Sequence, residues 1–129
     1  MSLSEPNEDY LERIFELLKE KGYARVTDMA ERLEIKPASV TKMVQRLDGL
    51  GYLKREPYRG FTLTKLGRDV GAKINHRHTV LFEFLSLLGL KQKTITKDIE
   101  GLEHHLSDET LRALEKLVRQ LPVKSKENN

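Results

Sequence analysis

Residues 37–47, with the sequence PASVTKMVQRL, identify the class of fold. Its apolar residues recur at i, i+3, i+4 and i+7, which predicts an amphipathic helix with one buried face: Val40, Met43, Val44 and Leu47. Pro37 suits the first turn of such a helix. The opposite face offers short polar and basic side chains for phosphates and base edges in a major groove: Ser39, Thr41, Lys42, Gln45 and Arg46. We interpret this stretch as a DNA recognition helix.

A basic hairpin follows the recognition helix. Residues 52–55 and 61–63 have the composition of two short strands, and the turn between them carries Arg59. A helix, a recognition helix and a basic hairpin in this order predict a winged helix-turn-helix domain over residues 1–70. Such shapes also serve as plain packing units. Because the polar face, Pro37 and the basic wing coincide, we favour double-stranded operator DNA as the partner.

Two helices are predicted before the recognition helix. Ser4 can cap the first, which has Pro6 in its opening turn and ends at Gly22. Thr27 is expected to cap the second, at residues 28–33.

The C-terminal part is predicted to be helical, so the fold class is mainly α. After a capping Thr64, apolar periodicity predicts a helix reaching Leu88, followed by helices at residues 93–106 and 108–121. This lobe has too little core of its own, and we expect its apolar faces to meet in a homodimer. We therefore expect a helical metal-binding and dimerisation domain at residues 71–122 and a flexible tail at residues 123–129.

Composition narrows the function classes. The 129 residues contain no cysteine, so a metal can be held only by oxygen and imidazole ligands. The net charge is +3, with Lys and Arg crowded between Lys36 and Arg68, which agrees with a polyanionic partner. The N-terminus lacks a secretory signal and the apolar stretch at residues 79–90 is too short to span a bilayer, so we expect a cytoplasmic protein without a membrane partner.

Carboxylates and imidazoles gather at helical spacing in three places. Asp9 and Glu12 are three residues apart on the first helix. Glu100, Glu103 and His104 are related by i, i+3 and i+4, which predicts one face of a later helix. His78 on the predicted long helix can supply a further imidazole. Each piece alone is more often a solvated face or a packing residue, but together they indicate a metal site.

Gly101 lies within the group formed by Glu100, Glu103 and His104. Glycine inside a helix costs about 1 kcal/mol relative to alanine, so it marks either tight helix packing or a disturbed backbone with a carbonyl available to a ligand. The sequence leaves both readings open.

Two other function classes compete with a metal-sensing regulator. A helical di-metal carboxylate enzyme typically uses Glu-x-x-His pairs on two helices, whereas this chain has Glu-x-x-Glu-His once. A winged-helix regulator of an organic ligand would leave the acidic residues solvated. We predict no catalytic residues and no enzyme activity.

Segments along nearly the whole chain resemble the diphtheria toxin repressor family of metalloregulators, in particular its manganese-responsive members. They are residues 9–12 (DYLE), 21–26 (KGYARV), 37–45 (PASVTKMVQ), 58–60 (YRG), 77–78 (RH) and 100–105 (EGLEHH). The resemblance implies a manganese-dependent repressor of manganese uptake genes, with the metal as co-repressor joining the DNA-binding and dimerisation lobes.

The resemblance also implies a ligand set for two manganese(II) ions per subunit. Glu12 and Glu103 would bridge the ions. Asp9, Glu100 and His104 would complete one coordination sphere, and His78 with the backbone carbonyl of Glu100 would help complete the other.

Overall fold

The computed structural model describes residues 3–121. The chain divides into two compact units, Met1–Lys73 and Ile74–Asn129. Six helices and one antiparallel hairpin make up the regular structure of the described part, which confirms the predicted fold class. The predicted flexible tail, residues 123–129, lies outside the described residues. No helix between residues 3 and 121 is long and apolar enough to cross a membrane.

The first unit has the element order of a winged helix-turn-helix. Its elements are α1 (Glu5–Lys21), α2 (Val26–Leu33), α3 (Pro37–Gly49), β1 (Leu53–Glu56), β2 (Gly60–Leu63) and the start of α4 (Lys65–Leu87).

Both predicted ends of α1 are confirmed. The Ser4 side chain accepts a hydrogen bond from the backbone N–H of Asn7 at 3.4 Å, and Gly22 ends the helix in the left-handed conformation with φ of 78°. The predicted start of α2 is wrong, because the helix begins at Val26 rather than at residue 28. The Asp28 carboxylate accepts from the backbone N–H of Arg25 at 3.1 Å, which allows the first turn to form before Thr27.

The recognition helix and the wing form as predicted. The apolar face of α3 is fully buried, at Val40, Met43, Val44 and Leu47. Strands β1 and β2 pair antiparallel, with Leu53 opposite Leu63 and Glu56 opposite Gly60. The sequence did not predict that Ala24 pairs with Phe61 through two backbone hydrogen bonds of 3.0 and 2.8 Å.

Gly60 permits this additional pairing. Its φ is 111°, and a Cβ at this position would lie within 2.1 Å of the Ala24 carbonyl oxygen. The root of the wing is therefore fixed to the segment that joins α1 to α2.

The second unit contains the rest of α4 with α5 (Gln92–Leu102) and α6 (Asp108–Gln120). Thr64 caps α4 as predicted, accepting from the N–H of Gly67 at 3.0 Å. Four buried residues from α4 and α5 form the core of the second unit: Leu81, Leu85, Ile95 and Ile99.

The predicted end of α5 is wrong by four residues. The helix ends at Leu102, and residues 103–105 form a turn before Ser107 caps α6 by accepting from the N–H of Thr110 at 3.1 Å. Glu103 is therefore the C-cap of α5, and His104 lies in the turn beyond the helix.

Candidate metal centre and nucleic-acid interface

Glu103 is the central residue of the candidate metal centre in the second unit. It occupies the C-cap of α5 and is only 4% exposed. Its Oε2 lies 3.0 Å from Nδ1 of His78, and its Oε1 lies 3.8 Å from Nε2 of His104. Each carboxylate oxygen thus faces a different imidazole.

The two imidazoles have different environments. The His104 side chain is 1% exposed, whereas the His78 side chain on α4 is 42% exposed. Nδ1 of His78 and Oε2 of Glu103 lie within hydrogen-bond distance of each other. The contact thereby orients the His78 ring.

The backbone at the end of α5 shifts its hydrogen-bond pattern. The N–H of Glu103 donates to Ile99 at 3.1 Å, four residues back, but the N–H of His104 donates to Gly101 at 3.4 Å, three residues back. In a continued α-helix, His104 would instead donate to the carbonyl of Glu100. This shift bypasses the Glu100 carbonyl.

Gly101 has open space around it. A Cβ added at this glycine would meet no atom within 4 Å among the described residues. Tight packing in this chain therefore does not account for the glycine. Its carbonyl oxygen accepts from His104 in the shifted turn, which favours the reading of a disturbed backbone.

Arg77 is a contributor that the sequence prediction did not single out. Its Nη1 donates to the backbone carbonyl of Glu103 at 2.7 Å, across 26 residues of sequence. In the sequence, the only indication of this role is that Arg77 directly precedes His78 on the same predicted helix.

The donor set suits a divalent cation. Burial of a carboxylate is costly unless hydrogen-bond donors or a cation stabilise its charge. Oxygen and imidazole ligands without thiolate favour hard or borderline divalent ions over soft ones. Such ligand atoms are present here, because the Glu103 carboxylate oxygens lie 3.0 Å from Nδ1 of His78 and 3.8 Å from Nε2 of His104.

The other predicted ligands are placed as follows. Glu100 lies on the last turn of α5 and is exposed, so its carboxylate is available from solvent. Asp9 and Glu12 lie on α1 of the first unit, three residues apart as predicted.

The first unit presents the predicted DNA-binding residues on the solvent side. The whole predicted set is exposed: Pro37, Ser39, Thr41, Lys42, Gln45, Arg46 and Arg59. The Thr41 hydroxyl donates to the carbonyl of Pro37 at 3.0 Å. At the other end of α3, Asp48 forms an ion pair of 2.8 Å with Arg55 and so connects the helix to the first strand of the wing.

The wing holds Arg59 against an aromatic ring. The Arg59 guanidinium carbon lies 4.7 Å from the centre of the Tyr23 ring, a cation–π distance. The neighbouring Tyr58 is 98% exposed and has a positive φ of 69° at the tip of the turn. Tyr23 was not predicted to contribute, because the residue lies far from the wing in sequence.

Comparisons with known proteins assign both parts of the chain to known domain families. Residues 2–61 match the family described as "Iron dependent repressor, N-terminal DNA binding domain", and residues 64–128 match "Iron dependent repressor, metal binding and dimerisation domain". A DNA-binding domain followed by a metal-binding and dimerisation domain defines a metal-dependent transcription regulator. The chain belongs to the iron dependent repressor family, which confirms the predicted resemblance to the diphtheria toxin repressor group. The family is one of repressors and not of enzymes, as predicted.

Individual relatives are also named as transcriptional regulators. The chain is 50% identical over 112 residues to the HTH-type transcriptional regulator MntR of Shouchella clausii, covering 87% of this chain and 78% of that protein. It is 54% identical over 100 residues to the regulator of the same name from Geobacillus kaustophilus, covering 78% and 71%.

A solved structure of the manganese regulator SloR superposes with a TM-score of 0.75 at 26% identity. The match covers 94% of this chain but only 56% of the chain of that structure, so this chain spans about half of its length. None of these comparisons favours a di-metal enzyme or a regulator of an organic ligand.

Proposed function

We propose that this chain is a manganese-activated transcriptional repressor that binds operator DNA as a homodimer and controls manganese uptake genes. The observation that carries the proposal is Glu103, a buried carboxylate with a different imidazole at each oxygen. It lies in the part of the chain that matches a metal-binding domain, and the relatives at 50–54% identity are named MntR.

The proposed centre holds a pair of ions per subunit. A carboxylate that turns one oxygen toward each of two imidazoles is suited to bridge two ions, each with one imidazole ligand. We assign Glu103 and Glu12 as the bridges, with Asp9, Glu100 and His104 at one position and His78 at the other. The bypassed carbonyl of Glu100 supports its assignment as a further ligand.

Manganese held by these residues would supply positive charge that neutralises their carboxylates, and this would favour the conformation that binds DNA. The recognition helix α3 and the wing then contact a half-site, and a homodimer contacts two half-sites. A cytoplasmic location follows from this role.

A DNA-binding assay tests the proposal. Affinity for a manganese-transporter promoter is expected to rise strongly when manganese is added and to fall in excess chelator, and a promoter fragment of scrambled sequence serves as control. Because several phosphates are neutralised, affinity is also expected to fall steeply with salt. Equal affinity with manganese and with chelator would contradict the co-repressor role.

A further inference from the structure

We propose that Arg77 is a positioning residue of the metal centre, which holds the end of α5 in the conformation that presents Glu103, His104 and the Glu100 carbonyl as ligands. This inference rests on the proposed function, because it concerns the same centre.

The contact of Arg77 with Glu103 is short and shielded. Nη1 of Arg77 donates to the Glu103 carbonyl at 2.7 Å, and Nε of the same guanidinium is buried. Hydrogen bonds from a charged donor are roughly twice as strong as neutral ones. The contact therefore connects α4 firmly to the turn after α5.

The end of α5 needs such a connection. The last four carbonyls of a helix lack a partner within the helix, and helix ends fray. Here the backbone hydrogen bonds of the terminal turn lie at or beyond the upper end of the usual range: 3.4 Å from the His104 N–H to the Gly101 carbonyl and 3.2 Å from the His105 N–H to the Leu102 carbonyl. Gly101 has no side chain to pack, and Leu102 is exposed. The backbone hydrogen bonds of this turn alone therefore hold it less firmly than they would hold an α-helical turn.

Two successive residues of α4 hold both parts of Glu103. Arg77 binds its backbone carbonyl, and His78 binds its carboxylate at 3.0 Å. The peptide unit between Glu103 and His104 is planar, so fixing that carbonyl also fixes the direction of the His104 N–H. One contact thus fixes the peptide unit that joins two of the proposed ligands.

Electrostatics alone predicts the opposite role for Arg77. A guanidinium near a cation site repels the cation, so removal of the charge would strengthen metal binding. Positioning predicts weaker binding, and the sign of the change distinguishes the two roles.

Calorimetric titration of the full chain with manganese chloride tests the proposal. Arg77→Met is expected to weaken manganese binding by about 10-fold or more, because loss of an outer-shell partner typically costs 10–100-fold. Arg77→Lys, which keeps the charge but not the planar fork, is expected to lie between Arg77→Met and the wild type. The matched control is Arg119→Met, which removes a cation from an exposed ion pair with Glu115 in the same unit. It is expected to bind manganese as the wild type does.

A second readout separates positioning from loss of fold. Circular dichroism and the melting temperature of the metal-free variants are recorded, with titrations made well below melting. Unchanged or tighter manganese binding by Arg77→Met would overturn the proposal. If Arg77→Met does not fold, Arg77→Lys decides: weakened binding with wild-type helicity supports the proposal, and wild-type binding overturns it. Failure of the wild-type chain to bind manganese would instead contradict the proposed function.

Discussion

At the scale of single residues, the position of Glu103 determines what the centre can do. A carboxylate on an exposed helix face has water to solvate both oxygens and gains little from an ion. Glu103 is buried, and its oxygens lie 3.0 and 3.8 Å from two imidazole nitrogens. A divalent ion can therefore compensate the cost of keeping this carboxylate out of water.

His78 offers a direct test of the assigned ligands. His78→Ala is expected to empty one of the two proposed positions, because the ring that faces Glu103 Oε2 is lost. The loss of affinity at that position should exceed the roughly 10- to 100-fold that is typical of an outer-shell change. Manganese stoichiometry by equilibrium dialysis, together with operator affinity, measures both effects.

The matched control is His105→Ala, an exposed imidazole on the same turn as His104. It is expected to keep the full manganese count and the full response. If His78→Ala also keeps the full count, His78 is not a ligand.

The sequence identified the candidate ligands of the second unit, but it did not predict where they lie relative to the end of α5. Spacing placed Glu100, Glu103 and His104 on one helix face, but in the structure Glu103 is the C-cap and His104 lies in the turn beyond the helix. Spacing rules assume that the helix continues, and they cannot detect a terminal turn tightened by contacts from elsewhere. The Arg77 contact, 26 residues away in sequence, is of this kind.

At the scale of elements, α3 and the wing form the candidate DNA surface. The Asp48–Arg55 ion pair links them, and the Ala24–Phe61 pairing fixes the wing root. Arg59 is further restrained by the ring of Tyr23 at 4.7 Å. A side chain held before DNA arrives loses less conformational entropy on binding.

Lys42 and Arg59 are expected to act on DNA without acting on metal. Lys42→Ala and Arg59→Ala should each weaken operator binding and reduce the magnitude of the salt slope by about 1, as expected for one lost phosphate contact. Fluorescence anisotropy across a salt series measures this, and Lys93→Ala, an exposed lysine of the second unit, is the control. A parallel loss of manganese uptake would show that the two sites are not separable.

Apolar periodicity predicted which faces of the helices are buried. The ends of the helices depended instead on which of several possible capping hydrogen bonds forms. The four buried residues of α3 follow a 3.6-residue repeat, so that face could be read directly. The start of α2 depended instead on the Asp28 carboxylate binding the Arg25 N–H. Thr27 is also a good capping residue, and the sequence does not state which of two such arrangements forms.

At the scale of the whole molecule, the proposed function couples metal binding to DNA binding. Raw affinity rises from manganese toward copper at almost any site, so a manganese sensor must select by ligand type and coordination number. The proposed ligands include more oxygen donors than imidazoles, which suits manganese. Zinc prefers four ligands and is expected to fill only part of such a site.

The measurement that tests this coupling most directly is the number of ions bound per subunit, determined together with operator affinity, for manganese and for zinc. We predict that manganese fills both positions and gives tight operator binding. Zinc is expected to fill only one position per subunit and to give weaker operator binding, even where zinc itself binds tightly. Full operator affinity with zinc in one position per subunit would contradict the claim that both positions belong to the switch.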